Sequence, residues 1–175
     1  MTEGLCDYFV TVGSLATIGV YGFTGEAFIA ALERAGVGLV LDVRQRRGVR
    51  GSEYSWANSV RLQARLSDAG IEYRHHKELA PTTELRRLQY RADDAEGVGK
   101  RSRTHLAPEY VEGYLAQVLD RVDLGELAAT LPNDTVSALL CVERDPEACH
   151  RSLVADRLAA ELGLPVRHLL PDSAE

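Results

Sequence analysis

Two runs of almost uninterrupted apolar residues, at positions 37–43 and 136–142, constrain the fold of this chain more than any other feature. Each run has the length of a strand and falls well short of the ~18 residues that a membrane-spanning helix requires. Strands that are apolar on both faces are typical of parallel sheets, because helices cover both sides of such a sheet. The sequence therefore predicts a buried parallel sheet.

Helix-length patterns separate these runs from three further candidate strands. The candidate strands cover residues 15–20, 71–75 and 166–170, and the candidate helices cover residues 25–35, 56–69, 83–94, 108–122 and 147–162. Strands that alternate with helices indicate βαβ units with right-handed crossovers. We therefore expect an α/β fold with a single, mostly parallel, Rossmann-like sheet flanked by helices.

The length of 175 residues suits one domain. We expect a flexible N-terminal extension over residues 1–14, the α/β domain over residues 15–171 and a short tail over residues 172–175. The segment between the third and fourth strands, about residues 78–125, is long for a single crossover. It would form a helical cap over the carboxyl edge of the sheet.

The net charge of −6 argues against non-specific binding of duplex nucleic acid by the whole surface, although local patches can still be basic. Three cysteines without framework spacing suit a reducing cytoplasm better than a secreted disulfide scaffold. The first residues carry acids and no basic segment, which does not indicate a signal peptide. We expect a cytoplasmic protein without a membrane segment, and the sequence leaves its oligomeric state open.

Reactive side chains cluster where the fourth strand ends. Cys141 and Glu143 lie at its carboxyl end, and Cys149, His150 and Arg151 follow at the start of the next predicted helix. In open α/β sheets, ligands bind at this edge. The stretch therefore predicts a functional site.

Asp145 is a good N-cap and Pro146 is a good first residue for that helix, since proline lacks an N–H that a helix start leaves unpaired. Cys149 would then lie in the first helical turns, where the helix dipole and neighbouring cations lower the pKa of a thiol. This position makes Cys149 a candidate nucleophile. The competing interpretation is a buried packing residue, which is the favoured interpretation for Cys141.

Carboxylates are the candidates for proton transfer. Glu143 follows a buried strand and needs either a partner or a catalytic role. The alternative for Glu143 is a salt bridge to Arg44 or Arg151, and the sequence does not separate these interpretations. Asp42 ends the second strand and would face the same crevice.

Basic residues in two loops predict anion binding near the same edge, because the planar guanidinium suits phosphate and carboxylate groups. The basic candidates are Arg44, Arg46, Arg47, Arg50, Lys100, Arg101, Arg103 and Arg151. Tyr73, His75 and His76 could stack on a base or hydrogen-bond to it. The alternative is that both loops are simply solvated.

A metal site is a further alternative. Cys141, Cys149 and His150 are acceptable zinc or iron ligands. However, no Cys-x-x-Cys spacing is present. Adjacent residues on a helix, as Cys149 and His150 would be, also diverge by about 100°. The sequence therefore favours no metal and identifies no cofactor.

Five segments resemble, in order, the uncharacterised family numbered 488 among the domains of unknown function. They are TIGV at residues 17–20, LDVR at 41–44, GIEYRH at 70–75, LCVERDP at 140–146 and CHR at 149–151. The resemblance covers residues 16–170 and implies an α/β fold with a shared site containing these residues, but no settled reaction. Many members carry Gly-His-Ser where this chain has GVY at 19–21, and Leu-Gly-Gly where it has LAP at 79–81. A role that the histidine or serine performs at the first of these positions in other members cannot be assigned to this chain.

Two functional hypotheses follow. The first is an enzyme acting on a phosphorylated substrate, either a nucleotide or a nucleic-acid end. In it Arg44 and Arg151 hold the anion, Glu143 or Asp42 moves a proton and Cys149 acts as nucleophile. The second is a non-catalytic binding module for the same small anionic or nucleic-acid ligands. No glycine-rich phosphate loop or Gly-x-Ser-x-Gly element is present, which disfavours ATPases, dinucleotide dehydrogenases and α/β-hydrolases.

Overall fold

The computed structural model describes residues 13–172. The predicted N-terminal extension and C-terminal tail, with Cys6, therefore lie largely outside the described residues. The first strand begins at Ser14, which is one residue before the predicted start of the domain.

Within these residues the chain forms one five-stranded sheet that is parallel throughout, with the order β3-β2-β4-β1-β5. The strands are β1 Ser14–Gly19, β2 Val37–Asp42, β3 Glu72–His75, β4 Val136–Cys141 and β5 Val166–Leu169. The helices are α1 Gly25–Arg34, α2 Ser59–Asp68, α3 Thr83–Glu96, α4 Pro108–Gln117, α5 Leu124–Ala129 and α6 His150–Leu162. The predicted single-domain α/β fold is confirmed.

The two long apolar runs lie side by side as β2 and β4, in the middle of the sheet. Their central residues Leu41 and Leu139 are paired and are fully buried, which explains why neither strand alternates between polar and apolar positions. The register places Gly19 beside Cys141 and Asp42 beside Leu140. The carboxyl ends of β1, β2 and β4 therefore meet at one edge.

Two helices begin later than the sequence predicts. Residues Ser52–Ala57 form a 3₁₀ turn, so α2 begins at Ser59. Pro146–Ala148 form a second 3₁₀ turn, and α6 begins at His150. Asp145 and Pro146 therefore start this short turn rather than the helix.

The segment between β3 and β4 contains α3, α4 and α5. Leu85 on α3 and the stacked pair Tyr110 and Tyr114 on α4 are buried in the common core. This segment is thus packed onto the sheet. None of the helices in residues 13–172 is both long enough and apolar enough to cross a membrane.

Candidate functional site

A cavity of about 620 Å³ opens at the carboxyl edge of the sheet. Its walls come from the loop after β2, from α3, from the loop between α3 and α4, and from the segment between β4 and α6. Ligand pockets typically measure about 300–1,000 Å³, so the cavity could hold one small molecule. The cavity therefore lies at the edge of the sheet where the sequence predicts a functional site.

Four side chains of the predicted site line this cavity together, and we call them the floor cluster: Cys141, Glu143, Cys149 and His150. The Sγ atoms of Cys141 and Cys149 each lie 3.9 Å from Nδ1 of His150. The Sγ atom of Cys141 also lies 3.5 Å from Oε2 of Glu143. All four residues are buried.

The late start of α6 brings Cys149 and His150 together. Cys149 has an extended backbone, with φ −141° and ψ 139°, and precedes the first helical residue. Its side chain therefore does not follow the helical spacing that would separate it from His150 by about 100°. The expectation that these two side chains diverge is wrong, because it assumed that both lie on the helix.

His150 is held in one orientation. Its Nε2 donates a hydrogen bond to the carbonyl oxygen of Val43 at 3.0 Å, since a carbonyl can only accept. Nδ1 therefore faces the two sulfur atoms. Burial alone would lower the pKa of His150, but the charge of Cys149 and its hydrogen bond raise that pKa above its ordinary value.

Arg151 lies behind this cluster and is fully buried. Its two terminal nitrogens donate to the backbone carbonyls of Glu143 at 2.6 Å and Arg144 at 2.9 Å, and among residues 13–172 it pairs with no carboxylate. It does not line the cavity. The structure therefore does not place Arg151 where it would hold a substrate anion in this cavity, since its terminal nitrogens bind the backbone after β4.

A buried guanidinium needs a counter-charge, because an uncompensated buried charge is costly. A thiolate at Cys149 would supply one. Burial alone would raise the pKa of Cys149, but the neighbouring thiol of Cys141 and the charges of Arg151 and His150 lower it well below its ordinary value. The pKa of Cys141 is raised by the closeness of Cys149 and by burial. The arrangement thus favours a thiolate at Cys149 and a thiol at Cys141.

Glu143 links the floor cluster to the wall of the cavity. Its Oε1 atom lies 3.6 Å from Nζ of Lys100 and 3.5 Å from Nη1 of Arg103. Burial and the charge of Cys149 raise the pKa of Glu143, while Lys100 opposes this shift. Glu143 can therefore hold a proton more readily than an exposed carboxylate. Its predicted partners, Arg44 and Arg151, form neither an ion pair nor a hydrogen bond with its side chain.

Asp42 and Arg44 pair with each other instead of facing a ligand. Nε and Nη2 of Arg44 donate to the two carboxylate oxygens of Asp42, and Nη1 donates to the carbonyl of Ala57. The hydroxyl of Tyr73 donates to Asp42 at 2.6 Å, and Nε2 of His75 lies 2.8 Å from the carbonyl oxygen of Arg44. All four predicted site residues thus use their polar groups in hydrogen bonds that hold the ends of β2 and β3. We therefore assign them no catalytic or anion-binding role.

The cavity wall is strongly basic. Seven basic side chains and one acidic side chain, Glu143, line the cavity. One of the seven is Arg44; the others form what we call the basic wall: Arg46, Arg50, Arg86, Arg87, Lys100 and Arg103. Because arginine and lysine bind phosphate and carboxylate groups, this cavity suits an anion.

Arg101 lies outside the cavity. It pairs with Glu53 at 3.2 Å and lies over the rings of Tyr21 and Tyr54, at 5.4 and 5.3 Å from their centroids. His76 pairs with Glu78 at 2.7 Å and does not line the cavity either. Arg101 therefore anchors the loop between α3 and α4 to the rest of the protein. It is not placed to bind a ligand in the cavity.

Several cavity residues were not predicted. Arg86 and Arg87 come from α3, and Tyr110 comes from α4. Asp93 and Gln89 support the wall, since Asp93 accepts hydrogen bonds from both Arg103 and Gln89. The adjacent arginines of α3 were visible in the sequence. Only the packing of the cap segment, however, determines which face of α3 points into the cavity.

Cys141, Cys149 and His150 are also the group of described residues that could hold a metal ion, since their ligand atoms lie within 4.8 Å of one another. The ligand types suit zinc. Fully buried Arg151 and the seven arginine and lysine side chains that line the same cavity, however, already place positive charge near these atoms. This positive charge disfavours adding a divalent cation.

Comparison with known proteins gives one result. No curated protein and no solved structure matches the chain. Residues 24–158 match the family described as "Domain of unknown function DUF488". The match covers most of the chain and includes the whole floor cluster and the whole basic wall. The chain belongs to the DUF488 family.

Proposed function

We propose that this protein is an enzyme that uses the thiolate of Cys149 as a nucleophile on a small phosphorylated, nucleotide-like substrate. The observation that carries the proposal is the position of Cys149, whose sulfur lies 3.9 Å from His150 Nδ1 in a cavity lined by seven arginine and lysine side chains and one carboxylate. Thiolates are nucleophiles, and a neighbouring imidazolium and guanidinium keep the thiol ionised.

The basic wall supports the choice of substrate class. Arg46, Arg50 and Arg87 are exposed enough to meet a ligand, and within the described part of the chain they have no ion-pair partner. Phosphate groups are the anions that clustered arginines bind best, through paired N–H donors. Tyr90 also lines the cavity and offers an exposed ring on which a base can stack.

Glu143 is the candidate for moving a proton in this reaction. In the proposed step the sulfur of Cys149 attacks the electrophilic atom of the substrate, and the bond to the leaving group breaks. Glu143, whose pKa is raised, donates its proton to that leaving group. The cap segment, residues 78–125, supplies one wall of the cavity that would hold the substrate.

We also propose a cytoplasmic location, because this chemistry requires reduced thiols. Cys141 and Cys149 are both free. A reducing compartment keeps such thiols unpaired.

The test is the rate at which iodoacetamide alkylates Cys149, measured against pH and with protecting ligands. Trypsin cleaves after Arg144 and Arg151, so Cys149 is read on the peptide of residues 145–151, separately from Cys141. We expect the rate to titrate below the ordinary thiol pKa of ~8.5. Adenosine monophosphate should protect Cys149 while adenosine, which lacks the phosphate, should not.

The result separates the hypotheses. A thiol that titrates at its ordinary pKa, or that no phosphorylated ligand protects, would contradict the proposal. If Cys149→Ser and Glu143→Gln both retain nucleotide binding and no turnover of bound nucleotides is found in the wild type, the protein is a binding module. Stoichiometric zinc that blocks alkylation until a chelator removes it would instead establish a metal site.

A further inference from the structure

Cys141 is the one member of the floor cluster that the proposed reaction does not use. Its sulfur and that of Cys149 lie within 4.8 Å of each other and face the same nitrogen of His150. A disulfide requires about 2.05 Å between the sulfur atoms, and a staggered change of χ1 moves a sulfur by more than an ångström. Forming the bond therefore requires the two side chains to rotate toward each other.

The positions of the two residues permit this rotation. Cys141 is the last residue of β4, and Cys149 is an extended residue between a 3₁₀ turn and α6. Cys149 contributes no side-chain cap to α6, so its sulfur is not committed to the helix start. Both sulfurs line the cavity, through which a small oxidant can reach them.

We propose that Cys141 and Cys149 form a reversible disulfide after oxidation of Cys149 by a hydroperoxide. The inference rests on the thiolate that the proposed function also requires. The ionised sulfur next to His150 and Arg151 is the attacking atom. The protonated sulfur of Cys141, which donates to Glu143, is the resolving thiol.

The chemistry balances with the hydroperoxide as oxidant. The thiolate of Cys149 attacks one peroxide oxygen, the O–O bond breaks, and the other oxygen leaves as an alcohol or water after taking a proton. Cys149 becomes a sulfenic acid. Cys141 then attacks this sulfur, loses its proton and releases water as the S–S bond forms. The two thiols are oxidised by two electrons, and the peroxide is reduced by two.

The disulfide would inactivate the site and would protect Cys149 from further oxidation. Cys149 in a disulfide is not a nucleophile, and it cannot proceed to the irreversible sulfinic and sulfonic acids. A thiol reductant would restore the thiolate. Peroxide would thus regulate the proposed reaction by oxidising Cys149, the residue that acts as its nucleophile.

The experiment treats the full-length protein with hydrogen peroxide, blocks remaining thiols with N-ethylmaleimide and maps tryptic peptides without reduction. Arg144 separates the two cysteines, so the disulfide joins the peptides of residues 122–144 and 145–151. The expected product is this joined pair, lighter than the sum of its parts by about 2 Da, the two hydrogens lost in forming the bond. Dithiothreitol should restore both free peptides and the alkylation rate of Cys149.

Two variants complete the test. In Cys141→Ser, we expect no joined pair, a sulfenic acid at Cys149 that dimedone traps, and irreversible oxidation at higher peroxide. In Cys149→Ser, we expect Cys141 to stay reduced. Cys6→Ser should behave as the wild type, and a disulfide to Cys6 would contradict the inference.

The failure of this inference can be told apart from failure of the proposed function. If Cys149 alkylates at low pH but peroxide yields sulfinic acid at Cys149 with Cys141 still free, the inference is wrong and the nucleophile stands. If Cys149 is neither alkylated nor oxidised, both are wrong.

Discussion

The guanidinium of Arg44 holds the carboxylate of Asp42 through two hydrogen bonds, of 2.8 Å from Nε and 2.7 Å from Nη2. Both side chains are essentially inaccessible, with relative exposures of 1% and 0%. Such a pair is structural, because a ligand cannot reach the charges without breaking it. It anchors the carboxyl end of β2 next to the cavity.

Asp42→Asn should destabilise the fold strongly. The variant leaves Arg44 as a buried cation without its counter-charge, and breaking a buried pair in this way costs about 3–5 kcal/mol. The measurement is the free energy of unfolding from urea titration. Glu72→Gln is the control, because its partner Arg74 forms an exposed pair, worth about 0–1 kcal/mol. Equal effects of the two substitutions would contradict the structural role of the Asp42–Arg44 pair.

The fold was predictable because its signals are local. The apolar runs that became β2 and β4 identify buried parallel strands by length and composition alone. The placement of Cys141 and Glu143 at the end of β4 followed from the same signal. Once the strands were known, the site edge was known.

The chemistry of individual side chains was less predictable, because it depends on tertiary contacts. Arg44, Arg46 and Arg151 look alike in the sequence, yet Arg44 and Arg151 are buried on protein acceptors, whereas Arg46 is exposed at the cavity. The N-cap propensity of Asp145 likewise gave the wrong helix start. The helix α6 begins instead at His150, and the side chains of its first two residues bind the backbone carbonyls of Val43 and Glu143.

Gly19→Ala should disturb the end of β1. A Cβ atom at Gly19 would overlap the carbonyl of Glu143, which is also the acceptor of Arg151 Nη1. Overpacking of this kind costs about 1–3 kcal/mol. Urea titration should show this loss, together with slower alkylation of Cys149. Gly48→Ala is the matched control, because its nearest neighbour would be 3.9 Å away. A Gly19→Ala protein as stable as the wild type would contradict the close approach of the two backbones.

Asp93 should contribute stability at neutral pH that disappears in acid. Burial alone would raise the pKa of Asp93, but hydrogen bonds from Arg103 and Gln89 lower it. A lowered pKa in the folded state stabilises the protein above the unfolded value of ~3.9, and this gain is lost as the pH falls through the folded value.

The measurement compares the free energy of unfolding of wild type and Asp93→Asn from pH 7 downward. We expect the variant to be less stable at pH 7 and the difference to shrink as the pH falls below about 4, the pKa of the unfolded chain, toward the lower pKa of Asp93 in the folded protein. Asp94→Asn is the control, because Asp94 is the exposed neighbour on the same helix. A difference between wild type and Asp93→Asn that stays constant with pH would contradict the ionic contact.

Arg87→Gln should weaken the binding of adenosine monophosphate. Arg87 lies on the basic wall, and hydrogen bonds to charged groups contribute about 1.5–3 kcal/mol, so the loss should be roughly tenfold or more in Kd. Isothermal titration calorimetry at several salt concentrations measures both Kd and its salt dependence, which should decrease. Arg91→Gln is the control, because Arg91 is exposed on the same helix but does not line the cavity. Equal losses in both variants would indicate non-specific attraction.

His150→Gln should shift the alkylation of Cys149 to higher pH. The charges that face Cys149 are those of His150 and Arg151, with Cys141, Glu143 and Lys100 next to them. Glutamine can still donate to the carbonyl of Val43 from the position of Nε2, but it carries no positive charge.

Because a cation beside a thiol lowers its pKa, removing the charge of His150 raises that pKa toward its ordinary value. The alkylation rate at pH 7 should therefore fall, while the rate at pH 10, where the thiol is ionised in both proteins, should remain similar. Ser152→Ala controls for a change at the start of α6, since Ser152 donates only to the carbonyl of Cys149. An unchanged pH profile in His150→Gln would mean that Arg151 and Cys141 alone keep Cys149 ionised, and His150 would then have only a structural role.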